Sequence, residues 1–139
     1  MLIKKAALAL AITVALAGCA GMGGGHATQV SLSGTQEVPP VSTGASGSGS
    51  ITVGDDGSVT GSITVSGVNA VAAHIHQGAS GANGPVIVPF SKNPDGSWSP
   101  APGAKLNDAQ LAAYKAGNTY VNVHSPQHKG GEVRGQLKP

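Results

Sequence analysis

The sequence predicts an all-β domain, a Greek-key β-sandwich or barrel with one short helix, preceded by a signal peptide. Val and Ile recur at alternate positions between small polar residues, the period of a strand with one buried face. Turn signals of Gly, Pro, Asn and Asp punctuate these runs at intervals of about 8 to 12 residues, as in sandwiches and barrels. The 139 residues include 22 Gly and 9 Pro, with 10% charged and 3% aromatic side chains. That composition argues against a helical bundle or coiled coil.

At the N-terminus, Lys4 and Lys5 precede an apolar run from Ala6 to Leu16 broken only by Thr13, which reads as a secretory signal over residues 1–18. The run is short for a bilayer span. It ends in Leu16-Ala17-Gly18-Cys19, which resembles the bacterial lipobox, where a Cys is lipidated and becomes the new first residue. Cys19 is the single cysteine of the sequence, so no disulfide forms within the monomer. An exported free thiol is a liability unless it is modified. The expectation is lipidation at Cys19 and a membrane anchor. Ala20 stands where an Asp would resemble the inner-membrane retention signal, which favours the outer membrane with the domain facing the periplasm. Removing Lys4 and Lys5 leaves six basic and six acidic side chains, a neutral body without a basic cluster. Nucleic acid and anionic membrane surfaces are excluded as partners on that ground. Residues 19–27, rich in Gly and containing His26, read as a tether, and residues 28–139 as one domain with one modest core.

The strands follow in order. Val30 and Leu32 alternate with Gln29, Ser31 and Ser33; Ile51 and Val53 form the next strand and lead through the hairpin turn Asp55-Asp56-Gly57 to Val59, Ile63 and Val65. Val71 to His76 and Val86 to Phe90 come next. Asn93-Pro94-Asp95-Gly96 is a turn, and Trp98 starts a short strand beyond it. Asn107 to Ala116 carries helix marks: Asn107 as N-cap, Gln110 at the capping-box position and Gly117 as the left-handed C-terminal residue. This helix is expected to plug one end of the sandwich. Tyr120 to His124 and Glu132 to Leu137 are the last strands. Glu37 before Pro39-Pro40 reads as a pin for the first strand, since a double Pro cannot pair in a central ladder. Asp55 and Asp56 read as turn residues.

Strand parity then points to chemistry. In Val71-Ala72-Ala73-His74-Ile75-His76, the apolar set Val71, Ala73 and Ile75 faces the core, and Ala72, His74 and His76 face outward. The same reading places His124, Tyr120 and Asn122 outside, and likewise Glu132, Arg134 and Gln136. If these strands are neighbours, three imidazoles and one guanidinium share a patch. Two His at i and i+2 stand roughly 6 to 7 Å apart on one face and can reach one ion, with His124 completing the set. Imidazole suits copper, zinc, iron and nickel, and three His without a thiolate leave a coordination position open. The plain alternative is three solvated polar residues. His128 reads as a solvated loop residue, with a fourth-ligand role as its alternative. Glu132 and Arg134 read as support around the metal or as a surface ion pair worth about 0 to 1 kcal/mol. No Ser-His-Asp spacing, phosphate-binding Gly loop or helical His-Glu motif gives a hydrolase reading a foothold.

Four motifs in order carry a family resemblance: Glu37-Val38-Pro39-Pro40-Val41; Ala72-Ala73-His74-Ile75-His76 with Gly78, Gly81 and Asn83-Gly84-Pro85; Ala116 to His124; and Gly130-Gly131-Glu132-Val133-Arg134-Gly135-Gln136-Leu137. Together they resemble the CHRD domain, first recognised in chordin, across nearly the whole mature chain. The resemblance implies a β-sandwich outside the cytoplasm. A more distant likeness is to Cu/Zn superoxide dismutase, which has a His-x-His strand, a late strand ending in His and a C-terminal Arg. It implies copper-ligand roles for His74, His76 and His124 and an anion-guiding role for Arg134. The loop Gln77 to Pro85 lacks the bridging His and the zinc ligands of those enzymes, so no zinc site is expected. Three functions follow as expectations: a lipid-anchored copper-binding domain serving copper sequestration, delivery or redox protection; a metal-free module whose exposed face or Gly-rich loops contact a partner protein or the envelope; or a simplified superoxide dismutase, the one enzyme candidate.

Overall fold

A computed structural model describes residues 24–139. The expected signal peptide, residues 1–18, and the lipidation site Cys19 lie outside the described residues. Eight strands and one helix follow in order: β1 (His26–Ser33), β2 (Ser46–Val53), β3 (Val59–Ser66), β4 (Ala72–Gln77), β5 (Val86–Lys92), β6 (Trp98–Pro100), α1 (Asp108–Lys115), β7 (Thr119–His124) and β8 (Val133–Leu137). A 3-10 turn, Gly34–Gln36, follows β1.

The strands close into an antiparallel barrel in the order β1-β2-β3-β6-β5-β4-β7-β8. Strands β4, β5 and β6 are consecutive neighbours, and β7 returns through α1 to lie beside β4, which is the Greek-key connection. The all-β expectation holds, with its single helix. Closure is uneven, however. β1 joins β8 through the single pair Ser33↔Arg134, and β3 joins β6 through Ile63↔Trp98 alone.

Local chemistry explains the elements. Gly57, at φ +87°, makes the β2–β3 turn, and the Asp56 carboxylate accepts from Ser58 N at 3.0 Å. Asp56 is thus a turn residue, as its position in the sequence suggested. In α1, Asn107 Oδ1 accepts from Gln110 N at 2.8 Å while Gln110 Oε1 accepts from Asn107 N at 2.9 Å, a complete capping box. Gly117, at φ +77°, ends the helix. Tyr114 on α1 is buried, its hydroxyl 2.5 Å from Thr28 Oγ1 of β1, and Leu111 packs against the core, so the helix closes on the barrel through both side chains.

The core is built mainly from Val30, Leu32, Ile51, Ile63, Ile75, Val88, Val121, Val123, Val133 and Leu137, with Phe90, Trp98 and Leu106 added. Two expectations need correction. Val71 lies before β4 and is 56% exposed, because the ladder with β7 begins at Ala72 and its parity rule does not reach one residue further out. His26 and Ala27 are strand residues, paired with Val53 and Thr52, so β1 starts inside the stretch read as a tether.

Candidate metal centre

Register brings the outward-facing residues of β4, β7 and β8 together. Across β4 and β7, Ala72 stands opposite His124, His74 opposite Asn122 and His76 opposite Tyr120. Across β7 and β8, Asn122 stands opposite Arg134 and Tyr120 opposite Gln136. Directly opposed side chains of an antiparallel pair share a face. His74, His76 and His124 therefore meet on the flank of the barrel.

Ring centroids are 4.9 Å apart for His74 and His124, 5.6 Å for His74 and His76, and 6.0 Å for His76 and His124. One ring nitrogen from each lies within 4.8 Å of the others. Three nitrogens bound to one ion at about 2.0 to 2.1 Å sit roughly 3.3 to 3.6 Å apart. Side-chain rotations of a few tenths to about one ångström close the difference, and the three histidines can hold a metal ion.

The outer nitrogens are already committed. A carbonyl only accepts, so His76 Nδ1–H donates to Gly84 O at 2.9 Å and His124 Nδ1–H donates to Lys129 O at 2.9 Å. In the neutral imidazole that arrangement leaves Nε2 unprotonated. His124 Nε2 then accepts from His74 Nδ1 at 3.0 Å. His76 Nε2 is buried and has no hydrogen-bond partner. Buried polar atoms are nearly always satisfied, and an unpartnered imidazole nitrogen beside two further histidine rings is what a missing ligand bond leaves behind. The donor set fits a metal on that observation.

Electrostatics agree. Burial lowers the His74 pKa, and the neighbouring His124 and His76 lower it further. Burial also lowers that of His76; its bond to Gly84 O opposes this, while His124 and Arg134 add to it. Lowered values favour the neutral imidazole, the form that ligates metal.

The surroundings differ from the exposed patch that strand parity suggested. His74 and His124 are half-buried, but His76, Tyr120, Asn122 and Arg134 are buried, because the loop after β4 and the segment after β1 cover them. Tyr120 stacks on His76, with centroids 4.9 Å apart and planes 7° from parallel. The Arg134 guanidinium carbon lies 3.5 Å from the centre of the same Tyr120 ring. Arg134, expected as an anion guide, is 1% exposed, and its Nη atoms donate to Ala82 O at 2.9 Å, Ala79 O at 3.0 Å and Gln136 Oε1 at 2.9 Å. The guanidinium thus holds a loop and does not face solvent.

Glu132 is buried too, and does not pair with Arg134: its carboxylate accepts from Thr43 Oγ1 at 2.9 Å and Ser125 Oγ at 2.7 Å. It supports the end of β7, where His124 stands, through Ser125 on one side of that residue, and its own N–H donates to Val123 O at 2.8 Å on the other. His128 is outside the histidine trio, half-buried in the β7–β8 loop with its N–H on Ser125 Oγ. Glu37, read as a pin, lies 5% exposed beneath its own loop and accepts from Asn122 Nδ2. Burial raises its pKa to about 7, against the opposing effects of Arg134 and the Asn122 bond.

Sequence reasoning did not single out Tyr120, nor the carbonyls of Gly84 and Lys129. The only signal for Gly84 is the Asn83-Gly84-Pro85 turn. A Cβ at Gly84 would collide with the Gln77 carbonyl, so glycine alone lets the loop return close enough for its oxygen to reach His76.

An eight-stranded Greek-key barrel with a histidine trio on its flank is the class of protein this geometry defines. Within it, residues 28–137 match the family model of the CHRD domain, and the chain belongs to that family. No curated protein and no solved structure matched the chain.

Proposed function

We propose that the chain is an envelope protein, anchored outside the cytoplasm by a lipid on Cys19, whose domain binds one copper ion through His74, His76 and His124. The single observation that carries the metal reading is the buried, unpartnered Nε2 of His76 among three converging rings, two of which have Nδ1 fixed by carbonyls. Copper is proposed because nitrogen donors bind Cu(II) most tightly among divalent first-row ions, and among the described residues no carboxylate or thiolate joins the trio. Sequestration or delivery of the ion suits a site with half-exposed His74 and His124. Superoxide turnover is less well supported, since the guanidinium that would guide the anion is covered.

The test is thermal melting of the purified protein with increasing Cu(II), with Zn(II) in parallel. A ligand that binds only the folded state at a hundredfold excess over its Kd adds about 2.7 kcal/mol, a rise in Tm of roughly 10 °C for a domain of this size. Copper is expected to raise Tm more than zinc, and His74→Ala and His124→Ala to abolish the rise. An unchanged melting curve would overturn the metal reading and leave the metal-free interaction module.

A further inference from the structure

The loop from Gly78 to Gly84, between β4 and β5, is held at its ends by Gly78 N on Asn118 O at 2.9 Å and Asn83 Nδ2 on Val38 O at 2.7 Å, and its middle is fastened to the barrel flank from β8. Arg134 Nη1 and Nη2 donate to Ala82 O and Ala79 O, and Gln136 orients the fork by accepting from Nη2. Gln136 Nε2 in turn donates to Gly78 O at 2.8 Å and Gly117 O at 2.9 Å. At the far end of the loop, Gly84 meets the metal-site residues twice. Its carbonyl accepts from His76 Nδ1, and its N–H donates to the Tyr120 hydroxyl at 3.0 Å. Arg134 also covers the face of the Tyr120 ring, which itself stacks on His76.

A guanidinium buried on neutral carbonyls is costly by comparison with an apolar side chain of the same volume. Its retention needs a task. Two parallel donors on a rigid planar fork can fix two carbonyls of one loop at once, which a single ammonium cannot do. Resting on the metal reading of the trio, we propose that Arg134 is a positioning residue for the metal centre: it clamps the Gly78–Gly84 loop over Tyr120, so that Gly84 O holds His76 as the Nδ1–H tautomer with Nε2 free for the ion. The clamp acts on His76 alone. His124 takes its tautomer from Lys129 O, on the separate β7–β8 loop.

The experiment reads the imidazole tautomers of the metal-free protein by long-range 1H–15N correlation, then Cu(II) affinity by competition titration, in wild type, Arg134→Met and Arg134→Lys. The wild type is expected to show a single Nδ1–H form for His76 and for His124. Both variants should show mixed forms at His76, an unchanged His124, and copper affinity weaker by about 10- to 100-fold, the usual effect of losing a partner that orients a ligand. Retention of the single His76 form with wild-type affinity would overturn the proposal, as would full rescue by Lys or a simultaneous change at His124. Should the Arg134 variants not fold, Gln136→Ala decides: a His76-selective change supports the clamp, and its absence overturns it. A wild type that takes up no copper removes the metal reading, an outcome distinct from failure of the clamp, which the metal-free tautomers read on their own.

Discussion

Glu37 and Arg134 are ionisable residues buried beneath loops, and Glu37 sets a pH dependence that can be measured. Its pKa is raised to about 7, so the folded state holds the proton more tightly than the unfolded chain does. That stabilisation is complete below the ordinary carboxyl range and is lost as pH rises through about 7. A shift of this size corresponds to at most about 3 kcal/mol. Histidines with lowered pKa act in the opposite sense: their contribution is present above the ordinary imidazole value and is lost as pH falls below it. Comparing wild type with Glu37→Gln by urea unfolding at pH 5 and pH 8 isolates the carboxyl. The wild type is expected to lose more stability than the variant on going to pH 8; equal losses would contradict the assignment. The sequence carried no sign of this burial. Strand parity put Tyr120, Asn122 and Arg134 on the outer face correctly, but whether an outer face is wet depends on loops, and loops have no period to read.

Among the elements, those specified locally were the legible ones. The α1 capping box is written in Asn107 and Gln110, and the β2–β3 turn in Asp55-Asp56-Gly57; both need only neighbours within a few residues. Asn107→Ala is expected to lower stability by about 1 kcal/mol and to leave copper affinity unchanged, since the capping bonds of Asn107 are made only with Gln110 and involve none of the trio. A chemical unfolding curve and a copper titration on the same sample check both halves. Long-range elements were legible only as candidates. His74 and His76 share a face by spacing within β4, whereas His124 joins them only because β7 returns beside β4 in one register. A slip of one residue would turn His124 inward. Val71 shows the limit of periodic reading, since its parity is apolar-in but no ladder pair holds it there.

At the level of the whole molecule, the histidine trio and the residues that support it lie on β4, β7 and β8 with the loops around them, while β1, β2 and β3 form a separate run of long, regular ladders. The two groups are stitched by single pairs at β1–β8 and β3–β6, yet they share one apolar core. Denaturation is therefore expected to be one cooperative transition, seen alike by Trp98 fluorescence and by far-ultraviolet circular dichroism. Two separated transitions would mean that the seams part before the core does.

Closure also governs the company the domain can keep. β4 and β7, the strands that carry the three histidines, have a partner on both edges, so recruitment by strand addition is denied at the site and left only to the thin seams β1–β8 and β3–β6. Any protein that gives or takes an ion here must come to the flank side-on and meet the imidazoles through side chains or loops, leaving the ladder undisturbed.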